Sequence, residues 1–301
     1  MATEVSTGGR AQEEILPPSL GSTSHPPNLF DGTTRLYISY ICPYVQRVWI
    51  ARNYKGLQEK IQLVAIDLQD KPAWYRYYHT FMIDNGKLIF VPEKVPVLEH
   101  NGNTIAESLD LLKYLDANFE GPKLLPEDPE KQAYADELIV SSDSVIAALF
   151  KAGHVEGDLI SDLADPPLNK IEESLGRFSD GPFLLGQSMS AVDMVYAPFI
   201  ERFKDFFAAV KLYDMTRERP KLKAWIEVYH EIILCLPVLV QIFSYLGRSP
   251  SSASCHDEEV WGNISYLDQI HSNPAATANS DETDCRVRLP VLVLQLEIPI
   301  A

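Results

Sequence analysis

The chain has 301 residues, 46% of them hydrophobic and 23% charged, a balance that suits one large or two ordinary globular domains. A formal charge of -16 argues against a general nucleic-acid or anionic-membrane binder, although a small site can still be locally positive. The four cysteines, at 42, 235, 255 and 285, show neither metal-ligand spacing nor a compact framework, so a reducing compartment and no metal are expected.

Residues 1–32 are polar and carry Pro17, Pro18, Pro26 and Pro27, the composition of a flexible arm. They contain no apolar signal core. Glu4, Glu13 and Glu14 outnumber the lone Arg10, which is unlike a transit peptide, so a cytoplasmic rather than plastid protein is expected. No run reaches the roughly 20 apolar residues of a membrane span, and no membrane association is expected.

From residue 33 the pattern tightens. Arg35-Leu36-Tyr37-Ile38-Ser39 reads as a strand, and Pro43 opens a helix that runs to about Tyr54 and stops near Gly56. Ile61 to Ile66 reads as a second strand. Val95 to Glu99 and Asn103 to Ile105 flank His100-Asn101-Gly102, a strong hairpin signal because Asn and Gly tolerate positive φ. A helix with Leu109, Leu112 and Leu115 on one stripe follows from about Ser108 to Asn118. The order β-α-β then β-β-α is the thioredoxin topology, over residues 33–120.

Beyond Leu125-Pro126-Glu127-Asp128-Pro129 only helical patterns appear, over residues 128–233. Ala135, Leu138, Val145 and Leu149 share one face. Leu168, Ile171, Leu175 and Phe178 share another, behind an expected start at Asp165-Pro166. Val195, Phe199, Phe203 and Phe206 form a third stripe, preceded by a capping box at Ser190-Ala191-Val192-Asp193 with Met189 and Met194 as its staple. Pro220 opens a last helix carrying Leu222, Trp225, Ile226 and Tyr229. Residues 234–301 depart from this style and are expected to be a poorly ordered tail.

Five residues are candidates for chemistry. Cys42 stands at a helix start, where free N–H groups and the dipole favour a thiolate, and Arg47 lies about one turn further on. Val45 takes the place of a second thiol, so an external thiol must resolve any mixed disulfide at this site. The plainer reading of Cys42 is a small buried apolar residue, and Cys-Pro alone leaves both open. Val95, before Pro96, can turn its main chain toward an extended peptide if the bond is cis, or can simply begin a strand. Glu107 and Ser108 suit a zwitterionic end, or an ordinary helix cap. Lys71 offers a cation to a carboxylate, or is a solvated loop residue.

Taken together these motifs occur in a specific order. The sequence resembles the cysteine-type glutathione transferases, most of all the plant lambda class, with omega-class enzymes and dehydroascorbate reductases as relatives. Tyr40-Ile41-Cys42-Pro43-Tyr44, Lys71-Pro72-Ala73-Trp74-Tyr75, Lys94 to His100 and Glu107-Ser108-Leu109-Asp110 carry the likeness in the first domain. Gly181 to Gln187, Pro198 to Phe203 and Arg219 to Ile226 carry it in the second. It covers roughly residues 28–232. The resemblance implies a thioredoxin-like domain followed by an all-α domain, with Cys42 as catalytic thiol and Lys71, Val95, Glu107 and Ser108 holding the co-substrate glutathione. It further implies thiol transfer and deglutathionylation of small hydrophobic or glutathionylated substrates by a monomer. A non-catalytic carrier of glutathione adducts or flavonoid-like ligands is the alternative. The chain departs from the family in an insertion at about 78–91, which resembles a small hairpin, and in lacking the family's final helices after about Glu231.

Overall fold

The structure, a computed structural model, describes residues 14–78, 82–84, 87–89, 94–178 and 180–235, and at 76–78, 82–84, 87–89 and 232–235 its backbone alone. The expected tail and residues 1–13 of the arm lie outside the described residues. In chain order the elements are β1 (Arg35–Ile38), α1 (Pro43–Tyr54), β2 (Gln62–Ala65), α2 (Ala73–Tyr78), β3 (Met82–Asp84), β4 (Lys87–Ile89), β5 (Val97–His100), β6 (Asn103–Ala106) and α3 (Ser108–Asn118). The helical part follows as α4 (Pro129–Gly153), α5 (Leu159–Ser174), α6 (Ala191–Phe206) with a π-helical turn at Phe207–Lys211, and α7 (Pro220–Cys235). No helix among the described residues is long and apolar enough to cross a membrane.

The main sheet has the order β2-β1-β5-β6, with β1 and β2 parallel and the other pairs antiparallel. Its hairpin closes on Asn101 (φ 52) and Gly102 (φ 76), the positive angles for which Asn-Gly is suited. Every residue of β1 is buried, as a strand covered on both faces must be. Tyr37 meets Tyr75 of α2 with ring centroids 5.8 Å apart. The inserted β3 and β4 form a separate antiparallel pair, Asp84 opposite Lys87.

Helix α1 is buried over most of its circumference because it packs against both α3 and α6. That makes it the seam between the two domains. The helical domain buries the expected stripes: Ala135, Leu138, Val145 and Leu149 on α4, and Val195, Phe199, Phe203 and Phe206 on α6. Asp128 caps α4, its carboxylate accepting from the Lys131 N–H at 2.9 Å. The Asp193 carboxylate accepts from the Ser190 N–H and hydroxyl at 2.8 and 2.7 Å, closing the capping box at the start of α6.

Two expectations need correction. Helix α5 starts at Leu159, not at Asp165-Pro166, and runs through Pro166 and Pro167. Ile160 and Ala164 extend the buried stripe of Leu168 and Ile171 by a turn and a half, and that burial outweighs the two missing donors. Pro166 is exposed, so water can reach the carbonyl it leaves without a donor. The second correction concerns the arm, of which residues 14–32 are docked on the first domain. Leu20 bridges Ile66 beside edge strand β2, the Phe30 N–H donates to Glu99 at 2.6 Å, and Glu14 pairs with Arg52 at 2.5 Å. A polar segment stays ordered when its hydrogen-bonding groups are matched one by one, and here they also cover a sheet edge.

Candidate functional site

The C-terminal ends of β1, β2 and β6 and the N-terminal end of β5 share one end of the sheet, because Ile38 pairs with Ala65, Tyr37 with Val97, and Val97 with Ala106. The connections leaving that end carry Cys42, Lys71, Val95, Glu107 and Ser108. Five positions spread over nearly 70 residues of sequence therefore converge by topology alone.

Cys42 is the N-cap of α1, at φ -82 and ψ 119, with Pro43 in the first helical position. Its thiol donates weakly to the Val95 carbonyl at 3.9 Å. The Val95–Pro96 bond is cis. Ser108 is the first residue of α3 rather than its cap, and its hydroxyl accepts from Arg47 Nη1 at 3.1 Å. Glu107 holds the cap position at φ 67 and ψ 118 with no side-chain cap hydrogen bond, whereas an ordinary cap residue is extended and uses its side chain. Its side chain is exposed. Lys71 is half-buried in the turn between β2 and α2.

Arg47 is buried, and Nε donates to the Val195 carbonyl of α6 at 3.0 Å. Its guanidinium lies over the rings of Tyr44 and Phe199, 5.1 and 4.7 Å from their centroids. Nη2 has no hydrogen-bond partner. Burial pushes its pKa down to about 10. A cation so placed gains from any anion that enters beside it. From the helical domain, Arg202 donates to Gln46 Oε1 at 2.6 Å and reaches the Ile41 carbonyl at 3.5 Å. Sequence reasoning singled out the segment holding Arg202 but not its place here. Nothing local could pair residues 161 apart.

The thiol itself departs from expectation. Burial pushes the Cys42 pKa up, and the N–H groups of Val45 and Tyr44, then Arg202 and Arg47, pull the other way without overcoming it. The sequence signals a helix start but not that Sγ is sealed behind it, with 6% of the residue exposed. A neutral thiol can also donate to the Val95 carbonyl, which a thiolate cannot. Iodoacetamide alkylation of Cys42 should therefore rise with pH to a midpoint above about 8.5, the value of an ordinary thiol. A midpoint below that value would show that the N–H groups and the two arginines outweigh burial.

The sequence pattern of a glutathione S-transferase N-terminal domain matches residues 36–123, and that of the C-terminal domain matches residues 161–227. Protein IN2-1 homolog A of Oryza sativa subsp. japonica is 50% identical over 220 residues, 73% of this chain and 86% of that protein. Glutathione S-transferase L3 of Arabidopsis thaliana is 51% identical over 214 residues, 71% of this chain and 85% of that protein. Among solved structures, rice GST1 in complex with glutathione shares the fold with a TM-score of 0.55 at 22% identity, covering 80% of this chain and 98% of that one. Domain order, cysteine-bearing helix start and identity over most of both lengths agree: the chain belongs to the glutathione S-transferase family, in its lambda class.

Proposed function

We propose that this glutathione transferase works as a thioltransferase, with Cys42 as the nucleophile that removes glutathione from mixed disulfides. The observation that carries the reading is a lone thiol at the α1 start, set against the Val95 carbonyl, with Val45 where a second thiol would stand. The Val95 main chain would pair with the extended tripeptide, Glu107 and Ser108 with its zwitterionic γ-glutamyl end, and Lys71 with its other carboxylate. The thiol must first lose its proton to solvent. The Cys42 thiolate then attacks the glutathione sulfur of the substrate disulfide, that S–S bond breaks, and the substrate leaves as a thiolate. A second glutathione, as thiolate, attacks glutathionylated Cys42 and departs as oxidised glutathione, returning the Cys42 thiolate. Substrates would be small hydrophobic or glutathionylated compounds, and the working form a cytoplasmic monomer. Rapid mixing with a glutathionylated compound should release one equivalent of substrate thiol in a burst. Absence of any burst with tight glutathione binding would favour the carrier reading, to which the burial of Sγ lends support.

The binding roles have their own expected outcome. Ser108→Ala should weaken glutathione by about 1–3 kcal/mol, the worth of one charge-assisted hydrogen bond, and Glu107→Gln should act at the same end. Calorimetric dissociation constants unchanged in both variants would remove the pair from the site.

A further inference from the structure

The arm contacts the first domain in a particular place. The Tyr40 hydroxyl, two residues before Cys42, donates to the Pro17 carbonyl. The Leu20 N–H donates to the Ala65 carbonyl at 2.8 Å and the Leu20 carbonyl accepts from the Asp67 N–H at 3.0 Å, so the arm is stitched to the last residues of β2. The Ser22 N–H and hydroxyl both donate to Asp70 Oδ2, at 3.1 and 2.9 Å. Trp74 Nε1 donates to the Ser24 carbonyl at 2.9 Å. Gly21 packs so closely that a Cβ there would stand 2.8 Å from Asp70 Oδ2. A turn within the arm, Ser24 N–H to the Gly21 carbonyl at 2.9 Å, presents Ser22 to Asp70.

These contacts bracket one residue. Asp70 and Trp74 stand on either side of Lys71, and Asp67 begins the same turn. Within the turn the Gln69 and Asp70 N–H groups donate to Asp67 Oδ1 at 2.9 and 3.3 Å, and the Tyr75 N–H donates to the Pro72 carbonyl at 3.0 Å. To these the arm adds a grip on each flank of Lys71, from a chain segment about 50 residues away in sequence. No strap residue is itself a candidate glutathione contact, and its grips on Asp70 and Trp74 reach the site through the turn that carries Lys71.

We propose that residues 17–24 are a strap that positions the turn carrying Lys71 for a glutathione carboxylate, so that the arm sets glutathione affinity. This rests on the reading of Lys71 as a glutathione ligand, and the test separates the two. In the full chain, Ser22→Ala and Trp74→Phe each remove one grip, and Gly21→Ala displaces the Asp70 carboxylate without removing a donor. Each should weaken glutathione about threefold, the scale of one hydrogen bond, and Ser22→Ala with Trp74→Phe about tenfold. The rate and pH midpoint of Cys42 alkylation should not move, because the strap does not touch the thiol. Lys71→Ala should weaken glutathione by itself, and in its background the strap substitutions should have no further effect. Lys71→Ala without effect overturns the ligand reading and the strap with it. Lys71→Ala with its expected effect, but strap variants that bind glutathione normally or whose effects simply add to it, overturns the strap alone. Melting temperatures within a few degrees of the parent identify the affinity losses as local.

Discussion

Cys42→Ser should reduce deglutathionylation to background, a loss of about 10³-fold or more, as expected when the only covalent nucleophile of a site is removed. A hydroxyl cannot form the mixed disulfide on which the proposed cycle turns, and the motif Cys42-Pro43-Tyr44-Val45 holds no second thiol to take over. Val45, three residues on, is buried and inert, and Cys42 is the free cysteine among the described side chains. The fold should survive. Sγ makes a long contact to the Val95 carbonyl and faces the Tyr44 and Val45 N–H groups, and a serine hydroxyl can donate to the first while its oxygen accepts from the others. The melting temperature should stay within a few degrees, since a satisfied polar atom of similar size costs about 1 kcal/mol. A modest gain in aromatic conjugation is compatible, because a hydroxyl can hydrogen-bond the thiolate of glutathione itself. Turnover like the parent's would end the mechanism.

The burial of the thiol adds a constraint. A thiol pKa raised by burial means that less thiolate is present near neutrality, so turnover limited by attack should climb with pH until the thiol has titrated. Substrate also has to reach a residue that is 6% exposed. An opening that admits it would at the same time let water stabilise the thiolate and remove much of the burial penalty.

What was legible in the sequence was local. Pro43 at the first position of α1, Asn101-Gly102 at the hairpin and Ser190 to Asp193 at the start of α6 each state their conformation through a few neighbouring residues, and each element lies where that chemistry puts it. The five candidate positions were readable for the same reason, since each follows or precedes a strand end. What was hidden depends on distance. Docking of residues 14–32 needs Asp70, Trp74, Glu99 and Arg52, none of which the arm's own composition reveals. The sequence places Arg47 about one turn beyond Cys42, but its burial with Nε on the Val195 carbonyl, 148 residues on, is a tertiary fact. The direction of the Cys42 shift was missed because a helix N-terminus is a local signal and desolvation is a tertiary one.

Asp193→Ala should be among the most destabilising substitutions in the chain, at about 4–5 kcal/mol, a drop in melting temperature of roughly 10–15 °C. The carboxylate is fully buried and accepts four hydrogen bonds. Oδ1 takes the Leu184 N–H at 3.0 Å and Trp225 Nε1 at 2.8 Å, and Oδ2 takes the Ser190 N–H and hydroxyl. Burial pushes its carboxyl up, while those four donors oppose it. Removing the acceptor strands donors from three separate segments, each worth about 1–3 kcal/mol when buried without a partner. Asp193→Asn keeps one acceptor oxygen for Leu184 and Trp225 but turns an N–H toward that of Ser190, so it should cost about half as much. The damage should also be felt at the candidate site. Helix α6, whose N-terminus Asp193 fastens, supplies the Val195 carbonyl that holds Arg47 and the Arg202 side chain that reaches Ile41, next to Cys42. At a temperature where Asp193→Asn remains folded, glutathione should bind more weakly than to the parent. Thermal and urea unfolding measure the first effect and calorimetry the second. A melting temperature for Asp193→Ala within about 3 °C of the parent would mean that water replaces the carboxylate as acceptor, and that the start of α6 is held by its packing.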